Sequence, residues 1–365
     1  MRLSHTLGRT SVAFDDPNLV SAGGLVPVLA LAESAGLAEL ADEHVSVPGD
    51  KGANAGLKVA SLIGGMVAGA DSIDDMALLR HGGMGRIFAR AYAPSTLGSF
   101  LRAFTFGHVR QFDAVASRFL IALAGLTRLL GQPAGGATDG AEQAGYALLD
   151  VDDTIIEVHG HAKQGAGFGY TRVRGLNVLL ATLATAGTAP VIVAQRLRQG
   201  ATGSPRGAKR LIGDAVKTTR RLLGAGGLNQ AILVRMDSAF YGRPTVHAAL
   251  AGGAAVSVTV RMDPAVKKAI ATIAGTAWTT IEYTDAVFDE DSRCWVSRAE
   301  VAEIAFTAFA SQKKADRVPG RLVVRRIPVF GVILGQSRRP CLPRGSLARN
   351  VRRSTRQRHS LGLSR

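Results

Sequence analysis

Cysteine is nearly absent: Cys294 and Cys341 are the only two among 365 residues. Two thiols build neither a disulfide framework nor a four-thiolate zinc site, and a reducing cytosol is the simplest compartment for such a chain. The opening stretch MRLSHTLGRTSVAFDDPN has no apolar core of the signal-peptide kind, so export is not expected. Long apolar runs are missing too. The stretch 175–195 is uncharged and long enough to cross a bilayer, yet Asn177, its threonines, Gly187 and Pro190 interrupt it. It reads as two strands around the turn TAGTAP, and no membrane partner is expected. There is no P-loop, no G-x-S-x-G, and no G-x-G-x-x-G placed between a strand and a helix; the glycines Gly165, Gly167 and Gly169 do not supply one. His159 and His161 lack a third ligand at useful spacing and read as surface residues. No internal repeat is found.

Acid is also scarce. Lys and Arg number 44 against 28 Asp and Glu, a formal charge of +16, and no acidic residue comes after Asp316. Residues 331–365 hold nine arginines, so part of the excess belongs to that tail. The remainder still favours a polyanionic partner over an acidic or neutral one.

The chain is rich instead in hydrophobic residues, 47 % of the total, enough for a sizeable core and more than one domain. Residues 1–132 form one region, helical from about residue 20. LVPVLALAESAGLAELADEHV, GLKVASLIGGMVAGA and FDAVASRFLIALAGLTRLLG repeat apolar residues at three and four. Within it APSTLGSFLRAFTFGHVRQF begins with the capping run Pro94, Ser95, Thr96 and carries Arg102, His108 and Arg110 among phenylalanines. That is the pattern of a DNA-contacting helix, and equally of an amphipathic helix with a solvated basic face. Residues 133–145 are glycine-rich and read as a linker. From Tyr146 short β-type runs alternate with helix, which predicts an α/β fold with a mixed sheet. A helix over about 206–223 buries a stripe through Leu211, Ile212, Ala215, Val216, Leu222 and Leu223, and shows Arg210, Lys217 and Arg221 on another side. The preceding loop RQGATGSPRGAKR adds Arg198, Arg206 and Lys209 among glycines that would let backbone approach phosphate. A solvated face is the alternative for this window as well.

The segment LLDVDDTIIEV sets three aspartates into a strand pattern. Side chains alternate between faces, so Asp150 and Asp152 point one way, Val151 and Asp153 the other. Two ionised carboxylates about 4 Å apart repel by roughly 4 kcal/mol at an effective dielectric of about 20, which leaves one protonated unless a divalent cation neutralises the pair. Mg²⁺ fits, being hard and content with one or two carboxylates plus water or phosphate oxygens. The alternative is a strand that merely ends at a turn. Asp237 comes directly after the apolar run AILVRM, where an α/β sheet presents functional groups. It can equally cap the helix that begins after it. Two aspartates on strand ends of one sheet, separated by a basic helix, suit two-metal phosphoryl chemistry.

Together LLDVDDTIIEVHGHAKQGAGFGYTRVRGLN, GSPRGAKRL and RMDSAFYGRPTV resemble the DDE transposases of bacterial insertion sequences, in particular the thirteen-eighty insertion-sequence family. The resemblance runs from about Leu25 to about Pro328 and takes in YAPSTLGSFLRAFTFGHVRQ, VSVTVRMDP, WTTIEYTDAVFDE and KKADRVPGRLVVRRIP. It implies a ribonuclease-H-like core beginning at 146–250, a helical DNA-binding region before it and a β-rich insertion at 251–330. It further implies Mg²⁺- or Mn²⁺-dependent strand cleavage and transfer at the element's terminal repeats, by a homo-oligomer on DNA in the cytoplasm at the nucleoid. Asp152 matches the first metal carboxylate, with Asp150 the neighbouring possibility, and Asp237 matches the second. The family's third carboxylate, a glutamate on a late helix, has no match; Glu290, Glu300 and Glu303 lie earlier, in the insertion. The stretch 331–365 has the composition of an out-of-frame reading and little to bury. Two functions are compatible with this: a transposase impaired by the missing carboxylate, or an inactive remnant that still binds DNA. In either, Arg102, Arg110, Arg198, Arg206, Lys209, Arg210, Lys217 and Arg221 are the expected DNA contacts. The basic helix is expected beside the carboxylates.

Overall fold

The computed structural model describes residues 16–88, 90–131, 145–160, 163–186, 188–289, 294–327 and 357–363. They divide into two compact units, one holding the N-terminal helices together with residues 221–228, the other holding every strand.

The first unit contains α1 (Leu25–Ser34), α2 (Leu37–His44), α3 (Ala55–Val67), α4 (Pro94–Arg102) and α5 (Phe106–Leu126). Its core joins Leu37, Ala41, Val59, Phe100 and Val115, the positions that recur at three and four in the sequence. The run expected to carry Arg102, His108 and Arg110 on one helix is broken. Pro94 opens α4, the chain turns at Ala103–Thr105, and α5 starts with a capping box in which His108 Nδ1 accepts the Thr105 N–H at 3.0 Å. Lys58 is buried, but its ammonium donates to the carbonyls of Lys51 and Ala53 and lies over the rings of Tyr92 and Phe100. A buried cation with those partners is satisfied.

The second unit is built on a mixed sheet. β1 (Ala147–Glu157) runs antiparallel to β3 (Arg174–Ala184), which runs antiparallel to β4 (Val191–Gln199); the two-residue strand β2 (Gly167–Phe168) also pairs with β3. On its other side β1 pairs parallel with β5 (Ile232–Met236), and β5 parallel with β6 (Ala255–Thr259). The uncharged stretch 175–195 thus forms strands around TAGTAP, as its interruptions predict. The helix α6 (Ala208–Ala225) connects β4 to β5, and α7 (Arg243–Ala251) connects β5 to β6. β6 therefore belongs to the core sheet, which moves the start of the insertion beyond the expected boundary at residue 251. A parallel neighbour needs a crossover, and α7 supplies it. After α8 (Pro264–Ala271) comes an antiparallel meander of β7 (Thr279–Asp289), β8 (Cys294–Ala308) and β9 (Val318–Arg326), the stretch expected as a β-rich insertion.

The last strand, β10 (Gln357–Leu363), lies between β6 and β9 and is antiparallel to both. For these seven residues the expected unpacked tail is corrected: a strand inserted between two others satisfies its backbone donors and acceptors on both edges, whatever its side chains bury. The rest of 331–365 lies outside the described residues, as does most of the linker 133–145.

One face of the core sheet is covered. Ala147, Leu149 and Val151 on β1 and Leu179, Ala181 and Leu183 on β3 are almost fully buried. Arg196, which faces Leu179 across the β3–β4 pairing, reaches Asp214 of α6 at 2.7 Å, so α6 lies over this face. A Cβ at Gly252, just after α7, would come 2.8 Å from Val216 Cγ1 of α6, which puts α7 on the same side.

Candidate active site

The other face of the sheet carries the carboxylates. In the parallel pairing Asp150 faces Arg235 and Val151 faces Met236, and Asp152 and Asp237 are the next residue on each chain, near enough to interact through their charges. Both stand where their strands leave the β1–β5 ladder, on the side away from α6. Asp152 Oδ1 accepts the N–H of Asp153 at 2.7 Å, and Asp237 Oδ1 accepts the N–H of Ala239 at 2.9 Å. Each acid is therefore held by a backbone donor, and Asp237 does cap the short turn Ser238–Phe240, as its alternative reading allowed. Partial burial pushes the Asp152 carboxyl above its ordinary pKa; the Asp153 N–H opposes this, and the negative charges of Asp237 and Asp153 add to it.

Asp150 shares this face but is already engaged. Arg235 Nε and Nη2 donate to its two oxygens at 2.6 Å each, a bidentate pair between adjacent strands. As a metal ligand it would first have to give up that fork, so the candidate pair is Asp152 with Asp237. Asp153, on the covered face, has a different role. Its side chain is 4 % exposed and meets that of Arg198, 7 % exposed, at 3.1 Å. Asn177, fully buried, donates to Asp153 and accepts from Arg198. Arg198 Nη1 also donates to the carbonyls of Ser204 and Arg206. Sequence reasoning missed Asn177 and Asp153; the signal was a third aspartate on the covered face facing two arginines spaced by two in β4.

Arg198 is thereby corrected as a DNA contact: its guanidinium is consumed inside the protein. Arg110, only 22 % exposed, is paired with Asp113 three residues on. Arg102, Arg206, Lys209, Arg210, Lys217 and Arg221 are exposed. Of these, Lys209, Arg210, Lys217 and Arg221 belong to α6, and the first three, which share a compact unit with the sheet, lie across it from Asp152, not beside it. The expectation of one basic surface at the carboxylates fails for α6, because its apolar stripe can be buried only on the face the carboxylates do not use.

Among the described residues no cluster of three or more His, Cys, Asp or Glu side chains has metal-site geometry. Glu300 is bound by Arg326, which also lies 3.9 Å from the centre of the Trp278 ring, and Glu303 pairs with Arg321 at 3.0 Å. Glu290 and His161 lie outside the described residues. The pair Asp152–Asp237 nonetheless fits a hard cation. Its donors are carboxylate oxygens, and the Asp152 carboxyl is pushed up first by desolvation and then by the neighbouring negative charges, both of which a bound cation would offset.

No family model and no curated protein matches the chain. Among solved structures it is similar to the cryo-EM structure of a piggyBac transposase synaptic complex with hairpin DNA, with a TM-score of 0.37 and 11 % identity over 95 % of this chain. The chain spans 60 % of the length of that protein. No described helix is long and apolar enough to cross a membrane.

Proposed function

We propose that the chain is a DNA strand-transfer protein of the DDE transposase type, with a ribonuclease-H-like core, acting on the ends of an insertion sequence. The observation that carries this reading is that β1 and β5 are adjacent parallel strands, paired up to Val151 and Met236, which brings Asp152 and Asp237 close enough for the charge of one to raise the pKa of the other. Three antiparallel strands continued by two parallel ones, with both helices on one side, accord with the core that the sequence resemblance implies.

Asp152 and Asp237 would hold Mg²⁺ or Mn²⁺, and the cation would supply charge neutralisation for phosphoryl transfer. The N–H of Asp153 and the N–H of Ala239 fix the two carboxylates, so the pair is oriented before substrate arrives. Exposed cations of α6 and Arg102 hold DNA phosphates, and several copies assemble on the terminal repeats at the nucleoid. A second reading, DNA binding without cleavage, is favoured by the ion-paired state of Glu300 and Glu303, which leaves two free carboxylates at the site among the described residues.

The test is cleavage of DNA carrying the element's ends, with Mg²⁺ or Mn²⁺, by the chain and by Asp152→Asn and Asp237→Asn. The active reading expects each substitution to lower the rate about a thousandfold while DNA binding persists. Binding by all three without cleavage gives the second reading. Failure of the unaltered chain both to bind and to cleave ends both.

A further inference from the structure

Beyond the carboxylates, on the same face of β1, the sheet carries apolar and aromatic surface that no described residue covers. Ile156 comes after Asp152 and Thr154 on that face and is 53 % exposed. Phe168 of β2 faces Arg174 in the ladder, which places it on this side too; it is 66 % exposed, and Tyr170 in the turn beyond it is 73 % exposed. Four residue steps along the strand take Asp152 to Ile156, about 13 Å. That is a few nucleotides of DNA at about 3.4 Å per base step.

The base of the loop that bears these rings is packed backbone against backbone. A Cβ at Gly200 would fall 2.1 Å from the Gly175 carbonyl oxygen and 2.4 Å from that of Gly167, and a Cβ at Gly175 would fall 2.4 Å from the Ile156 oxygen. Backbone therefore packs directly on backbone here, and Gly200 N donates to Gly165 O at 3.0 Å. Arg174 Nη1 ties the base of the loop to the Gly160 carbonyl at 2.8 Å. Arg172, exposed, has φ +59°, a left-handed conformation that glycine would adopt more easily. The turn alone therefore gives no reason for an arginine. Lys163 is exposed at the start of the same loop, and Glu157 is the exposed acid beside it.

We propose that the loop 163–173 is a stacking platform for unpaired DNA next to the carboxylate pair, with Phe168 and Tyr170 taking base faces and Lys163 and Arg172 taking phosphates. Aromatics beside cations suit single strands, because every base has a π-face and the backbone is uniformly charged. The inference rests on the DNA reading above.

It is tested in metal-free buffer, where cleavage plays no part, by the affinity of the chain and of Phe168→Ala/Tyr170→Ala for a single-stranded oligonucleotide, the same strand with abasic positions, and duplex. Expected is a roughly fivefold to hundredfold loss per stacked base on the single strand only. Lys163→Gln/Arg172→Gln should flatten the log–log salt dependence by about 0.7 per lost single-strand phosphate contact. Unchanged single-strand affinity in the aromatic variant, or an equal loss on the abasic strand, overturns the platform. So does a sedimentation result in which that variant breaks up a self-associated chain with DNA affinity intact, which makes the patch a contact between copies. No DNA binding by any form sinks the DNA reading itself, whereas intact binding by the aromatic variant sinks only the platform.

Discussion

Asp152 enters the folded chain with a carboxyl harder to ionise than in water, because it is partly desolvated and feels the negative charges of Asp237 and Asp153. A carboxyl whose pKa rises on folding binds its proton more tightly in the native state. Its contribution to stability then falls as pH climbs from the unfolded value, about 4, through the raised folded one. Asp152→Asn removes that dependence. In chelator at pH 7 the variant should melt at or slightly above the unaltered chain, by no more than a few degrees because the group is largely solvated, and the gap should close below about pH 4. Added Mg²⁺ should raise the melting temperature of the unaltered chain and not of the variant. A variant that melts lower at pH 7 would contradict the assignment. Asp152 and Asp237 could be picked out in the sequence because charge within or directly after an apolar strand is costly without a purpose, although Asp152 lies in the middle of β1 and only Asp237 comes at a strand end. The engagement of Asp150 could not, since it depends on Arg235, 85 residues away on a neighbouring strand.

Among the elements, β4 and α6 show where pattern reading succeeds and where it stops. The apolar stripe of α6 is periodic in sequence, and Leu211, Ile212, Ala215 and Val216 are all buried as it predicts. Arg198 is two residues from Arg196 in β4, and its place before a glycine-rich loop suggested a phosphate ligand. In the fold both arginines turn inward, one to Asp214 and one to Asp153. Burial makes Arg198 easier to deprotonate than an ordinary arginine, with Asp153 acting against that. Arg198→Leu would strand Asp153 without a counter-ion and open the loop carbonyls. Urea unfolding should show a loss of about 3–5 kcal/mol, part of it recovered when Asp153 is also made apolar. A loss below about 1 kcal/mol would mean the network is dispensable.

At the scale of the molecule, the cations of α6 and the carboxylates are separated by the thickness of the sheet. Arg210→Glu/Lys217→Glu should weaken duplex binding steeply at low salt and lower the log–log slope by about 0.9 per lost phosphate contact. The rate at saturating DNA should stay within about twofold, because neither residue is on the Asp152 face. A large fall in that rate would place α6 in the chemistry. The chain by itself determined most of the helices and strands before residue 328, that Asp152 lies in one β run and Asp237 directly after another, and that the balance of charge favours a polyanion. These depend on side-chain periodicity and composition, which are local. Tertiary structure alone decided which face of the sheet α6 covers, hence which arginines are free, and placed Gln357–Leu363 between β6 and β9. Strand pairing and sheet facing depend on contacts between residues far apart in sequence, and a period of two is the same whichever face meets water.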